Sequence, residues 1–92
     1  MKFAVIWTYK PDHTISATER FSQTGGMPPE GVTMLARWHD VSGNRGFAIA
    51  ETDDASALAT WCRKWNDLLS FEVFPVINDE EIAAVLSAVA KG

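Results

Sequence analysis

The chain is predicted to adopt an α+β fold, with four antiparallel strands in one sheet and its helices gathered on one side. Period-two alternation of apolar residues marks four segments. Helical spacing of apolar residues marks three others. Together they run in the order β-α-β-β-α-β-α, and helices segregate to one face of an antiparallel sheet.

The first strand is read from Phe3, Val5, Trp7 and Tyr9, which alternate with Ala4, Ile6 and Thr8. Both sets are fairly apolar, so both faces are expected to be covered. Pro11-Asp12 breaks the strand and offers a helix cap. A helix follows over about 13–23, with Ile15, Ala17 and Phe21 as a thin apolar stripe. Gly25-Gly26 stops it, and Met27-Pro28-Pro29-Glu30-Gly31 is a stiff loop.

Val32–Val41 reads as the second strand and Arg45–Thr52 as the third, joined as a hairpin across Ser42-Gly43-Asn44. Asp53-Asp54 opens the second helix, placing negative charge at its positive dipole end. Leu58, Trp61, Cys62, Trp65, Leu68 and Leu69 then recur at helical spacing. The fourth strand is read over Phe71–Ile77, where Pro75 points to a sheet edge or a bulge. Asn78 or Asp79 caps a third helix, whose stripe is Ile82, Val85, Leu86 and Val89. The first six elements match the split βαβ, or ferredoxin-like, motif. One sheet face is then bare and apolar, and a second copy of the chain is its simplest cover.

Ninety-two residues make one domain, spanning 1–92, and a chain this short gains from a partner's surface. The apolar content of 47% and charged content of 22% exclude a disordered chain. A net charge of −4 with no basic cluster argues against nucleic acid and against an anionic membrane surface. No apolar run approaches the roughly 20 residues of a membrane helix. The opening Met1–Trp7 reads as a strand and not as a signal peptide. Cys62 is the single cysteine, which fits a reducing, cytoplasmic setting and a buried, inert thiol. The two histidines and one cysteine have no zinc spacing, so no metal is expected.

Chemistry is best sought in Arg37-Trp38-His39-Asp40. A His beside an Asp invites acid–base work, with His39 as the candidate catalytic residue. Strand neighbours point to opposite faces, so His39 and Asp40 meet only across a bulge, whereas Arg37 and His39 share a face. With a two-residue turn at Gly43-Asn44, His39 lies opposite Ala48 and Arg37 opposite Ala50, leaving a hollow beside small residues. With a three-residue turn, Arg37 faces Glu51 as an ion pair, His39 faces Ile49, and there is no hollow. Tyr9 and Trp7 share one face of the first strand, and Trp61 and Trp65 lie one turn apart. These readings make Tyr9, Trp7, Arg37, Asp40 and Trp65 the candidate substrate-binding residues. Four of them have a plainer role: a salt bridge for Arg37, core packing for the two tryptophans, a wetted hydroxyl for Tyr9.

The segments MKFAVIWTYKP, TGGMPPEGV, ARWHDVSGNRGFAIAE and FEVFPVINDEEIAAVL together resemble a family of small bacterial proteins grouped as a domain of unknown function. That family falls within the dimeric α+β barrel superfamily. The resemblance implies the fold and a homodimer. The superfamily holds antibiotic-biosynthesis monooxygenases, muconolactone isomerases and polyketide cyclases, so the fold does not select a chemistry. Such proteins often work without a metal or organic cofactor, and none is expected here. The leading expectation is a cofactor-free enzyme acting on a small aromatic or polyketide-like molecule. The alternatives are a non-catalytic dimeric ligand-binding or interaction module, and a filled core with no pocket.

Overall fold

The computed structural model describes residues 1–92. Its elements are β1 (Lys2–Tyr9), α1 (Thr14–Thr24), β2 (Thr33–His39), β3 (Arg45–Glu51), α2 (Ala55–Arg63), β4 (Leu69–Val76) and α3 (Asp79–Lys91). The strands form one antiparallel sheet in the order β2-β3-β1-β4. This is the ferredoxin-like βαββαβ arrangement with an added C-terminal helix. Central β1 is apolar on both faces, while β4 takes an edge, where the missing N–H of Pro75 costs little.

Val5 and Trp7 of β1, Ala48 and Ala50 of β3, and Leu69 of β4 form one face. Ala17 of α1 and Leu58 and Trp61 of α2 pack on it as the core. α1 contributes little to that core. Ala17 is buried and Phe21 half-buried, but Ile15, expected in the same stripe, is 75% exposed. Asp12 does not cap α1 either. It sits at φ 65°, and the N-cap is His13, without a side-chain bond. Asp54 does cap α2, accepting from the Ser56 and Ala57 N–H groups at 2.9 and 3.2 Å.

α2 ends at Arg63, short of the predicted stripe. A turn follows, in which the Trp65 N–H bonds the Cys62 carbonyl and the Leu68 and Leu69 N–H groups bond the Trp65 carbonyl. These tight turns keep Trp65, Leu68 and Leu69 on the core side, which is why the apolar spacing outlasts the helix.

The hairpin follows neither expected register. His39 pairs with Gly46, Trp38 with Phe47 and Arg37 with Ala48, so four residues, 41–44, form the loop. Asp40 holds that loop. Its carboxylate accepts the Ser42 N–H at 3.0 Å and pairs with Arg45 Nε at 2.7 Å. A bulge at Leu35 then shifts the pairing, so that Met34 meets Ala50 while Ala36 meets Ile49. From Ala36 to His39 the slip from the two-residue register is an even number, so those side chains keep their faces, whereas Met34, beyond the bulge, turns to the face of Ala50 and packs on the core. Arg37 lies opposite Ala48 and not Ala50, His39 lies opposite Gly46 and not Ala48, so both still face small residues, and the Arg37–Glu51 pair does not form.

α3 starts with a capping box, Asn78 and Glu81 each bonding the other's backbone N–H. No residue of α3 is buried. The molecule is accordingly elongated, 52 × 29 × 17 Å, with a radius of gyration of 15.5 Å. A compact chain of this length would have one of about 12 Å. No helix is long and apolar enough to cross a membrane.

Candidate functional site

The helix-covered face carries a cleft between sheet and helices. Its floor is Val5, Trp7 and Tyr9 of β1, with Leu69 and Phe71 of β4 beside them. Ala17 and Phe21 of α1 form one wall, and Trp61 and Trp65 the other. Gly26, Arg37 and His39 close the remaining side. The cavity volume is about 50 Å³, room for a few waters. The hollow expected beside Arg37 and His39 is therefore a narrow slot, because aromatic rings fill most of it.

Trp7 is the ring that fills it. Its indole lies against Gly46, and a Cβ there would collide with the indole and stand 2.9 Å from the Trp38 carbonyl oxygen. His39 stands edge-on between Trp7, at 5.9 Å between centroids, and Phe21, at 5.3 Å. The imidazole is nevertheless exposed at the rim. Asp40 does not orient it, since Asp40 belongs to the other sheet face and is engaged by Ser42 and Arg45. The Ser42 N–H and the Arg45 guanidinium hold the Asp40 carboxyl below the ordinary carboxylate range. Asp40 is thus a loop-holding residue outside the slot.

Arg37 is half-buried and makes no ion pair; the salt bridges are Met1–Asp53, Lys2–Glu51, Arg20–Asp67 and Arg45–Asp40. Instead its two Nη atoms donate to the Gly26 and Gly25 carbonyls, each at 3.0 Å. Its guanidinium lies 4.8 Å from the Phe21 ring centroid. A cation from β2 therefore caps the C-terminal end of α1, which has no basic residue of its own in its last turn. Gly25, at φ 72°, supplies the left-handed turn that aims these carbonyls at the strand.

Trp65 is held from behind. Arg20 lies 5.3 Å from its ring centroid and forms a fork with Asp67 at 2.9 and 2.8 Å. Hydrogen bonding to Arg20 is the main reason the Asp67 carboxyl titrates below its usual range. A depressed folded-state pKa adds stability above the unfolded value, about 3.9, and that stability disappears as pH falls through the folded value. Asp67→Asn is therefore expected to flatten the fall in stability below about pH 4, as read by urea midpoints across that range. Asp40→Asn should act in the same direction.

Cys62 is half-buried, and burial pushes its thiol pKa up, so it is no activated nucleophile. It lies outside the slot. No group of three His, Cys, Asp or Glu side chains is placed to hold a metal ion. Of the residues singled out in the sequence, Trp7, Tyr9, Arg37, His39 and Trp65 converge on the slot, and Asp40 does not. Phe21 and Gly26 belong to it without a sequence signal of function; Arg37 of β2 holds the C-terminal end of α1 there, through the Gly25 and Gly26 carbonyls and the Phe21 ring.

The other sheet face is bare. Ala4, Ile6, Trp38, Phe47 and Ile49 line a concavity of about 540 Å³ there, with Asp40 and Arg45 at one side. Trp38 and Phe47 pack together at 5.4 Å between centroids.

A helix-backed antiparallel sheet, with an aromatic slot on one face and a bare apolar surface on the other, defines a ferredoxin-like α+β protein. The chain belongs to the DUF3303 family, a domain of unknown function, whose family model matches residues 1–90. Among solved structures it is similar to PA3566 from Pseudomonas aeruginosa, at 14% identity and a TM-score of 0.52, covering 84% of this chain and 91% of that one. It is also similar to a putative antibiotic biosynthesis monooxygenase from Nitrosomonas europaea, at 13% identity and TM-score 0.49, covering 85% and 100% of the two chains. An uncharacterized NIPSNAP domain protein from Burkholderia xenovorans is similar at 11% identity and TM-score 0.46, covering 86% and 97%. At such identities the likeness speaks of fold alone. No curated protein matches the chain in sequence.

Proposed function

We propose that this protein is a homodimer whose slot binds a small, flat aromatic molecule. One observation carries the ligand: Trp7, Trp61, Trp65 and Phe21 converge on a single cleft whose polar side chains are only Tyr9, Arg37 and His39. Aromatic walls favour a planar partner that stacks or meets them edge-on. A cavity of about 50 Å³ is below the roughly 150 Å³ that holds a benzene ring. Binding therefore requires Phe21 or Trp65, both only half-buried, to swing outward.

The dimer rests on two uncovered apolar faces of one chain, the bare sheet face and the α3 stripe. We place the protein in the cytoplasm, as its single cysteine suits a reducing compartment.

The four indole N–H resonances of ¹⁵N-labelled protein test the site. On titration with indole or benzamide, those of Trp7, Trp61 and Trp65 should shift, while that of Trp38, on the opposite face, should not. Uniform shifts of all four, or none, would remove the slot as a binding site.

The exposed imidazole at the rim favours a second reading, in which the protein is a cofactor-free enzyme. His39 would then exchange a proton with the bound molecule, with Arg37 and Tyr9 orienting it. Under that reading His39→Ala retains binding and loses turnover. Retained binding with no turnover in either form would leave the protein a binding module, and equal turnover in both would take His39 out of the reaction.

A further inference from the structure

We propose that the slot's ligand is an aromatic carboxylate, its anionic end held by Arg37. This rests on the slot being the binding site, and it adds the charge of what binds. The walls hold one permanent cation, Arg37, one imidazole, His39, and one phenol, Tyr9, but no Asp or Glu. Arg37 is partly withdrawn from water with two neutral carbonyls as its partners, and it has no carboxylate within ion-pair distance.

The carbonyls of Gly25 and Gly26 use two of the five guanidinium N–H donors. Three remain for a ligand. A planar fork of donors suits a carboxylate, and among apolar walls each such bond is stronger than in water. The same two carbonyls and the Phe21 ring fix the guanidinium in place before any ligand arrives, so little side-chain entropy is lost on binding. A neutral aromatic molecule would find the same walls but would leave the cation unmatched.

Benzoate and benzamide have the same shape and differ in charge, so they form the test. Each is titrated into the full chain, reading the indole resonances of Trp7, Trp61 and Trp65. Benzoate should bind at least tenfold more tightly than benzamide. The preference should persist in His39→Gln and vanish in Arg37→Met. Arg37 also clamps α1, so the variant's fold is checked by its amide spectrum, and the wild-type comparison stands without it. Equal affinities in the wild type, with the slot indoles shifting, would overturn the anion and leave the aromatic site intact. A preference that survives Arg37→Met would overturn the assignment to Arg37. Failure of both compounds to move the slot indoles would overturn the site itself.

Discussion

Gly46→Ala is expected to lower the stability of the protein by about 3 kcal/mol, a large effect for one methyl group. In a strand, glycine is normally the weaker choice, and alanine there would ordinarily help. Here the added Cβ would meet the Trp7 indole on one side and the backbone carbonyl of Trp38 on the other. The carbonyl belongs to the paired strand β2 and has nowhere to go. The indole is the side that must yield, but Trp7 is a core residue and the floor of the slot. Displacing it costs packing against the core and removes the surface on which a ligand would lie.

Trp7→Phe offers a smaller ring over the same position. Combined with Gly46→Ala it should lose less than the sum of the two single changes, a coupling readable by urea unfolding. Strict additivity would show that the indole and the glycine do not constrain one another. A loss below about 1 kcal/mol for Gly46→Ala alone would show that the sheet yields at that point.

Gly46 also shows what the sequence makes legible. Alternation along β1 puts Trp7 and Tyr9 on one face, and alternation along β2 puts Arg37 and His39 together, because the two-residue period is local. Helix spacing finds α2 and α3 for the same reason. The hairpin register is not local in that sense. A side chain, Asp40, sets it by bonding Ser42 and Arg45, and Ser42-Gly43-Asn44 alone reads equally well as a shorter turn. The bulge at Leu35 leaves no mark in the sequence, since Met34 and Leu35 are both apolar. What fills the hollow depends on how α1 lies over the sheet. Hence Arg37, read as a salt-bridging or substrate-binding residue, is found clamping Gly25 and Gly26. Phe21, read as plain core, stands between Arg37 and His39.

If the chain pairs as proposed, Trp38→Glu and Leu86→Glu are each expected to turn that dimer into a monomer at micromolar concentration. Sedimentation equilibrium should move from twice the chain mass of 10.1 kDa to that mass itself. Trp38 is 56% exposed on the bare sheet face and Leu86 60% exposed on α3, though both are large and apolar. They lie among other exposed apolar side chains: Phe47 and Phe74 on the sheet, and Val85 and Val89 on the helix. Burying one such side chain contributes about 1.5–3 kcal/mol, whereas burying an unpaired carboxylate in its place costs several. A fall in association of at least a hundredfold follows for either change. Ile15→Glu is the control. Ile15 is more exposed than either, at 75%, but stands alone on the outer side of α1, so the dimer should persist. Loss of the dimer with Ile15→Glu as well would point to a general effect of added charge. A wild-type chain that sediments at 10.1 kDa would leave both apolar faces without a second copy to cover them. An effect of Trp38→Glu without one of Leu86→Glu would confine the interface to the sheet and leave α3 free of it. Equal effects of the two would place helix and sheet in one continuous surface, as expected if the α3 of one protomer lies against its partner.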